Sequence, residues 1–394
     1  MPGHATPAVL LTKSRHSFPS SVAHLDAAEQ DRWRIAEGLD VVLIGDNEAL
    51  VQYGTRSRPA ELLRDSDLTG VLRRVLHPLR DQGIAYADLI QRFDDGERAE
   101  VEDLLRELVE KGIVTNAARS PVEQYLGHAL ENRGSLAASR VAVIGAGPLG
   151  ARVAHTLMQH GVGHIGILDE RPADELWHAF LPVVRTRPST SGQMAHEALR
   201  ELLDGAASTA VAVIEGGLAA AGVSAAVADV DLAVLAMEQP HPRLAHLVNR
   251  VCLREGRTWL AVGIDGNIGL TGPLFVPPET ACYNDYEALV RGTSSNSAVD
   301  AAYHRFLLRR GSGSFFPGLP AYVDIVAGFA AVAAVQYLSS GTSMAMARLL
   351  SIDFEEMRVD VDDVLKLPRC PVCAGGLGRA TPPFPADARP DLEA

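Results

Sequence analysis

Between Glu97 and Lys111 the apolar residues Val101, Leu104, Leu105, Leu108 and Val109 recur at i, i+3, i+4, i+7 and i+8, a single apolar stripe on an otherwise charged helix. Upstream of it the period is that of strands. Asp40 to Gly45 and Glu48 to Tyr53 are strand-like runs on either side of Asp46-Asn47, which predicts a hairpin. Arg58 to Arg64 predicts a third, edge-like strand, because Pro59 at its start cannot donate to a ladder. Helices are expected over Asp67 to Arg80, with Asp67 as N-cap and Gly83 as stop, and over Tyr86 to Phe93. Gly112-Ile-Val-Thr then closes the unit as a strand, and the whole order is that of a winged helix.

From Ser139 onward strands and helices alternate. Apolar runs at Val141 to Ile144, Ile165 to Leu168, Ala210 to Ile214, Asp231 to Ala236 and Trp259 to Gly263 are separated by helix-compatible stretches at Pro148 to His160, Ser191 to Leu203 and Pro242 to Glu255. Such alternation predicts an α/β domain with a mostly parallel sheet covered on both faces. The longest apolar stretch, Tyr322 to Leu338, contains Asp324 and Gln336 and is expected as a buried helix, not a membrane span.

The first of these runs ends in Gly145-x-Gly147-x-x-Gly150, and the second ends in Asp169. The spacing is that of a dinucleotide-type site. Gly145 permits a tight turn, Gly147 lets backbone approach phosphate, Gly150 lets helix pack on strand, and Asp169 can accept from ribose hydroxyls. The domain boundaries that follow are 1–30 as a flexible N-terminus, 31–118 as the winged-helix domain, 119–138 as a linker, 139–376 as the Rossmann-type domain and 377–394 as a disordered tail rich in Pro, Ala and Asp.

Composition narrows the chemistry. With 394 residues, 47% of them apolar, and a formal net charge of −13, the chain has neither the balance of a nucleic-acid binder nor that of a protein for anionic membranes. Arg56, Arg58, Arg64, Arg73, Arg74 and Arg80 would suggest DNA, but the helix that would enter a groove carries Glu97, Glu100, Glu102, Asp103, Glu107 and Glu110, which phosphates repel. An acidic extended peptide adding to an arginine-flanked strand edge fits better. The start, Met1-Pro-Gly-His, lacks the basic and apolar regions of a signal peptide, and four cysteines without an export signal are expected in a reducing compartment, the cytoplasm.

Three of those cysteines bear on metal. Cys370-Pro-Val-Cys373 can supply two thiolates to one tetrahedral zinc. Cys282-Tyr-Asn-Asp285 offers a third thiolate and a carboxylate, with His304 or water as other choices for the fourth place, and an unmetallated remnant of such a site is the competing reading. Cys252 is expected in the core. Glu238, at the carboxyl end of the Asp231 strand, is either a site acid or a solvated loop carboxylate, and His241 and His178 read as structural. The only lysines are Lys13, Lys111 and Lys366, so the region around the glycine turn has none.

From Ser139 to Gly376 these features resemble the ThiF-like, ubiquitin-activating-enzyme-like adenylation fold: the Gly145 to Gly150 turn, Asp169, the segment from Gly272-Pro to Cys282-Tyr, the late helix Tyr322 to Leu338, and Cys370-Pro-Val-Cys373. The run from about Arg34 to Asn116 is similar to the PqqD-like recognition element of ribosomal natural-product (RiPP) pathways. Their order resembles the leader-binding proteins of azole-forming cyclodehydratases, including the separate ThiF-like partner of thiopeptide pathways. The resemblance implies a winged-helix domain that binds the leader of a precursor peptide, and a ThiF-like domain that docks a separate YcaO-type cyclodehydratase which itself spends ATP on azoline and azole formation. Leader contacts are expected from Leu62, Leu63, Arg64, Leu104 and Leu108, by strand addition. A homodimer is left open.

Departures from the adenylating members matter as well. Those enzymes follow the ribose-binding acid with an Asn-Leu-x-Arg-Gln type segment and place a lysine on the phosphates. Here Asp169 is followed by Glu-Arg-Pro-Ala-Asp-Glu-Leu, and the aspartate expected to hold magnesium is replaced within Ala-Met-Glu238-Gln. Arg152, Arg171 or Arg185 are the available stand-ins for the lysine. Several simultaneous losses argue against acyl adenylation, which needs cations fixed on the phosphate. The expectation is therefore a component without its own catalytic residues; the alternative is an active ATP-dependent adenylating enzyme acting on a peptide carboxylate. A nicotinamide-dependent dehydrogenase shares only the glycine turn.

Overall fold

Apolar runs beside the predicted hairpin become strands in the computed structural model, which describes residues 32–54, 61–80, 83–129, 136–173, 194–204, 209–293, 295–312 and 318–374. The chain folds as two compact units, Met1–Gly134 and Ser135–Ala394.

In the first unit β1 (Arg32–Ile35) lies between β5 (Ile84–Ala85) and β6 (Val114–Asn116), and a second sheet has the order β2 (Leu39–Leu43), β3 (Glu48–Tyr53), β4 (Glu61–Arg64). Both sheets are antiparallel. β4 is an end strand, as its sequence suggests, and the register sets Glu48 opposite Arg64 and Leu50 opposite Leu62. Helix α1 runs Val71–Leu79, α2 Tyr86–Ile90, α3 Asp95–Glu110 and α4 Pro121–Ala129. The first helix starts later than expected. Asp67 is not its N-cap; Gly70 is, because the Asp65 carboxylate accepts from the backbone of Asp67, Thr69 and Gly70 and holds the chain in a turn up to that point. Asp94 caps α3 in a reciprocal capping box with Glu97. Val101, Leu105 and Leu108 of α3 are buried with Leu63 of β4, Leu72 and Leu76 of α1 and Leu89 of α2 in one cluster.

The second unit is an eight-stranded sheet in the order β14-β13-β12-β11-β10-β7-β8-β9. β7 (Arg140–Ile144), β8 (His164–Leu168), β9 (Ala210–Val213), β10 (Leu232–Met237) and β11 (Trp259–Asp265) are parallel; β12 (Ile268–Phe275), β13 (Arg348–Asp353) and β14 (Arg358–Asp363) extend the sheet antiparallel. The chain moves outward from β7 through β8 to β9, then returns to the other side of β7 for β10 and β11. The order reverses between β7 and β10, the place where open sheets of this kind leave a crevice at the carboxyl ends of their strands. α5 (Pro148–Gln159) follows β7, α6 (Ala195–Leu203) precedes β9, α7 (Ala220–Val227) and α8 (Pro242–Glu255) flank β10, and α9 (Tyr283–Thr293) and α10 (Ser297–Arg310) follow β12. α11 (Pro320–Ser340) is the one described helix long and apolar enough to cross a membrane, yet it packs on α5, β11 and β12 with Val326, Ala330, Ala331 and Ala334 buried. It is a core helix, as its Asp324 and Gln336 suggest.

Candidate functional site

Strand register brings three positions to one edge of the sheet. Ile144 pairs with Leu168 of β8 and Leu235 of β10, so the chain leaves β7 at Gly145, β8 at Asp169 and β10 at Glu238 side by side. Gly145 has φ +102, and Gly147 is the N-cap residue of α5, followed by Pro148 at the first helical position. A Cβ at Gly150 would collide with the carbonyl of Gly145, so the helix can close on the turn only through glycine.

Asp169 is 1% exposed and wholly engaged. Its Oδ2 accepts from the Ala146 amide at 2.6 Å, and its Oδ1 from the amides of Glu170 at 2.8 Å and Arg171 at 3.0 Å. The guanidinium of Arg171 closes over both oxygens, with Nη2 at 2.7 Å from Oδ2 and Nε at 3.0 Å from Oδ1. The same guanidinium reaches Glu238, Nη1 to Oε2 at 3.4 Å, and Glu238 Oε1 accepts from the Leu149 amide at 2.9 Å. Burial alone would raise the pKa of Asp169, but the hydrogen bonds and charge of Arg171 and the donated amides bring it below the ordinary value. Burial alone would lower that of Arg171, yet Asp169 and Glu238 hold its charge and raise it. Glu238 is 3% exposed, which corrects its reading as a solvated loop carboxylate.

Of the three stand-in arginines, the two that are described are committed. Arg152 of α5 pairs with Asp324 of α11 at 2.9 Å, Arg171 is held as above, and Arg185 and His178 lie outside the described residues. His241 caps α8, its Nδ1 accepting from the Leu244 amide at 3.2 Å; burial lowers its pKa, as its structural role requires. The sequence offers Arg171 as one of three stand-in phosphate cations and Glu238 as a site acid or a solvated loop carboxylate; their pairing across a separation of 67 residues leaves no local signal.

A second cluster forms where the start of α9 meets the chain after β14. Cys282, Asp285, Cys370 and Cys373 offer ligand atoms all within 4.8 Å of one another. Cys282 Sγ lies 3.7 Å from Cys370 Sγ, and Cys373 Sγ lies 3.1 Å from Asp285 Oδ2. Asp285 is 0% exposed; Oδ2 also accepts from the Cys282 amide, while Oδ1 is buried with no hydrogen-bond partner. The hydrogen bond between the two thiols raises the pKa of Cys282, with burial adding to it, and lowers that of Cys370 to about 6. Three thiols, an orphaned carboxylate oxygen and little water are a donor set that fits a tetrahedral cation. His304 is not part of it. That side chain belongs to a third group that the sequence did not reveal, in which Glu287 Oε2 of α9 bonds His246 Nε2 at 3.1 Å and pairs with Arg291, while His304 Nε2 accepts from Arg291 Nη2 at 3.1 Å and lies 3.4 Å from Glu287 Oε1. Only the i, i+4 spacing of Glu287 and Arg291 is visible locally. Cys252 is fully buried, as expected of a core residue.

In the first unit Leu62 and Leu104 are half-buried, and Arg64 Nε meets Glu48 Oε1 at 2.9 Å across the strand pair. Lys111 at the end of α3 bonds Glu61 Oε1 at 2.6 Å, which sets the end of that helix beside β4. Leu63 and Leu108 are each 1% exposed and belong to the core, so neither side chain is a peptide contact: the strand alternation and the helix stripe turn them inward. Pro59, Arg56 and Arg58 lie outside the described residues.

Residues 124–176, which carry the glycine turn and Asp169, match the ThiF family. E. coli MccB with ATP has a similar structure, at TM-score 0.59 and 16% identity over 87% of this chain and 100% of that one. The Microcin C7 biosynthetic enzyme MccB in complex with N-formylated MccA gives TM-score 0.60 at 16% identity over 86% and 99%. A heterocyclase in complex with substrate and cofactor gives TM-score 0.57 at 17% identity, over 87% of this chain but 40% of its own length. At these identities what is shared is the fold, a mixed α/β Rossmann-type domain with a large parallel-rich sheet.

Proposed function

We propose that this chain is a peptide-holding, non-adenylating component of a peptide-modifying complex: it binds the leader of a ribosomally made precursor and presents that precursor to a partner YcaO-type cyclodehydratase, which forms the azolines with its own ATP. The observation that carries the reading is the state of Asp169. A ribose-binding acid must keep a carboxylate oxygen open, and here both oxygens are taken by three backbone amides and Arg171. Adenylation also needs cations on the phosphates. Among the described residues named for that work, Arg152 and Arg171 are each bound to a carboxylate.

The end strand β4 supplies the other half. A leader running alongside Glu61–Arg64 would take its main-chain hydrogen bonds from the edge that no described strand pairs, with Leu62, Leu104 and Arg64 reading its side chains. The winged-helix, PqqD-like reading of the first unit is part of this proposal, as is structural zinc at Cys282, Asp285, Cys370 and Cys373. The benefit is effective concentration, since tethering the leader makes delivery of each core residue intramolecular. The fold shared with MccB, which is seen with ATP, favours a second reading as an active adenylating enzyme on a peptide carboxylate.

The test is calorimetry of the full chain with the leader segment of a short peptide encoded beside its gene. Saturable binding that weakens about tenfold in Arg64→Glu, as charge reversal beside an acidic peptide requires, supports the reading. Binding unchanged by both Arg64→Glu and Leu62→Asp moves the site away from β4.

A further inference from the structure

We propose that Glu238 occupies the position a nucleotide phosphate would take on the glycine turn, and so determines what that turn admits. The inference rests on the non-adenylating reading and adds the residue that enforces it. The amide ends of a helix attract an anion, and α5 already has one: Glu238 Oε1 accepts from the Leu149 amide at 2.9 Å.

Gly147 gives a second, independent indication. Its φ of −68 is open to any residue, so the backbone does not call for glycine there. A Cβ would instead collide with the carboxylate of Glu238. The close approach that a glycine at this point allows to phosphate is used here by the protein's own side chain.

The charge balance keeps the position closed. Among the described residues that bond one another beneath the turn, negative charge outnumbers positive, since Asp169 and Glu238, both buried, share the guanidinium of Arg171. An incoming phosphate adds more. It could bind only by expelling Glu238 and giving up the hydrogen bond from Leu149 and the contact with Arg171, a loss on the scale of breaking a buried ion pair. No lysine lies between Lys111 and Lys366 to offset it.

The experiment is calorimetric titration of the full chain with pyrophosphate and, separately, with ATP. Wild type should show no saturable heat. Glu238→Ala, which opens the space and leaves Arg171 with a single carboxylate, should bind pyrophosphate at least about tenfold more tightly than wild type. Glu238→Gln keeps the volume and the Leu149 contact while removing the charge, and should fall between them; it serves should the alanine variant not melt cooperatively. Glu255→Ala, which removes an exposed carboxylate on α8, should behave as wild type. If wild type and both Glu238 variants all fail to bind, Glu238 is not the barrier and this proposal is overturned while the non-adenylating reading stands. If wild type binds ATP as tightly as Glu238→Ala, the proposal is overturned too, and the non-adenylating reading then depends on whether pyrophosphate exchanges.

Discussion

At Gly147 the usual reason for a glycine is absent, and that makes the residue a clean probe of its neighbour. A methyl group there meets no backbone strain, and its nearest contacts are the carboxylate atoms of Glu238. Gly147→Ala should therefore cost roughly 1–3 kcal/mol, the scale of overpacking a full site. In a Glu238→Ala background the same change should cost little, because the colliding group is gone. A double-mutant cycle by chemical denaturation measures the difference as a coupling energy. Additive effects would show that the two residues do not meet. The sequence makes Gly145, Gly147, Gly150 and Asp169 legible because their spacing along the chain is fixed by the turn they make. It does not make legible that Glu238 sits on the helix end, since that contact depends on how strands far apart in sequence register against each other, nor that Arg171 turns back on Asp169 two residues earlier, which the local spacing permits without dictating.

Elements read more reliably than contacts. The alternation from Ser139 onward gives the parallel strands β7 to β11, because a strand buried on both faces must be apolar throughout. Other elements escape it: neither β12 nor β13, nor the helices α7, α9 and α10, is expected from the sequence. β1 and β5 are too short to show a period and form only because each finds a neighbour, while β14, with every residue exposed, carries no burial signal at all. The cysteine knuckle lies between. Its two halves are visible as Cys282 with Asp285 and Cys370 with Cys373, and the fold unites them by placing the start of α9 against the chain beyond β14. Protein purified without added metal should contain about one zinc per chain, and a strong chelator or Cys370→Ser should lower its melting temperature, since a cation at this site is part of the folded state. Elemental analysis that finds no metal, together with an unchanged melting temperature in Cys370→Ser, would mark the cluster as a remnant.

At the scale of the molecule, the chain combines a small unit that has an end strand and acidic helix α3 with a large unit in which the Glu238 carboxylate lies on the first turn of α5. The change of period near residue 139 predicts two domains, and the structure has two compact units, Met1–Gly134 and Ser135–Ala394. The net charge of −13 fits neither nucleic acid nor an anionic surface as partner. What the large unit shares with MccB is shape. The central claim is that this shape persists without the adenylating chemistry, and exchange of radiolabelled pyrophosphate into ATP tests it most directly. Full chain with magnesium, ATP and the neighbouring precursor peptide should give no exchange above a protein-free control. Robust exchange that disappears in Asp169→Ala would contradict the account and establish an adenylating enzyme.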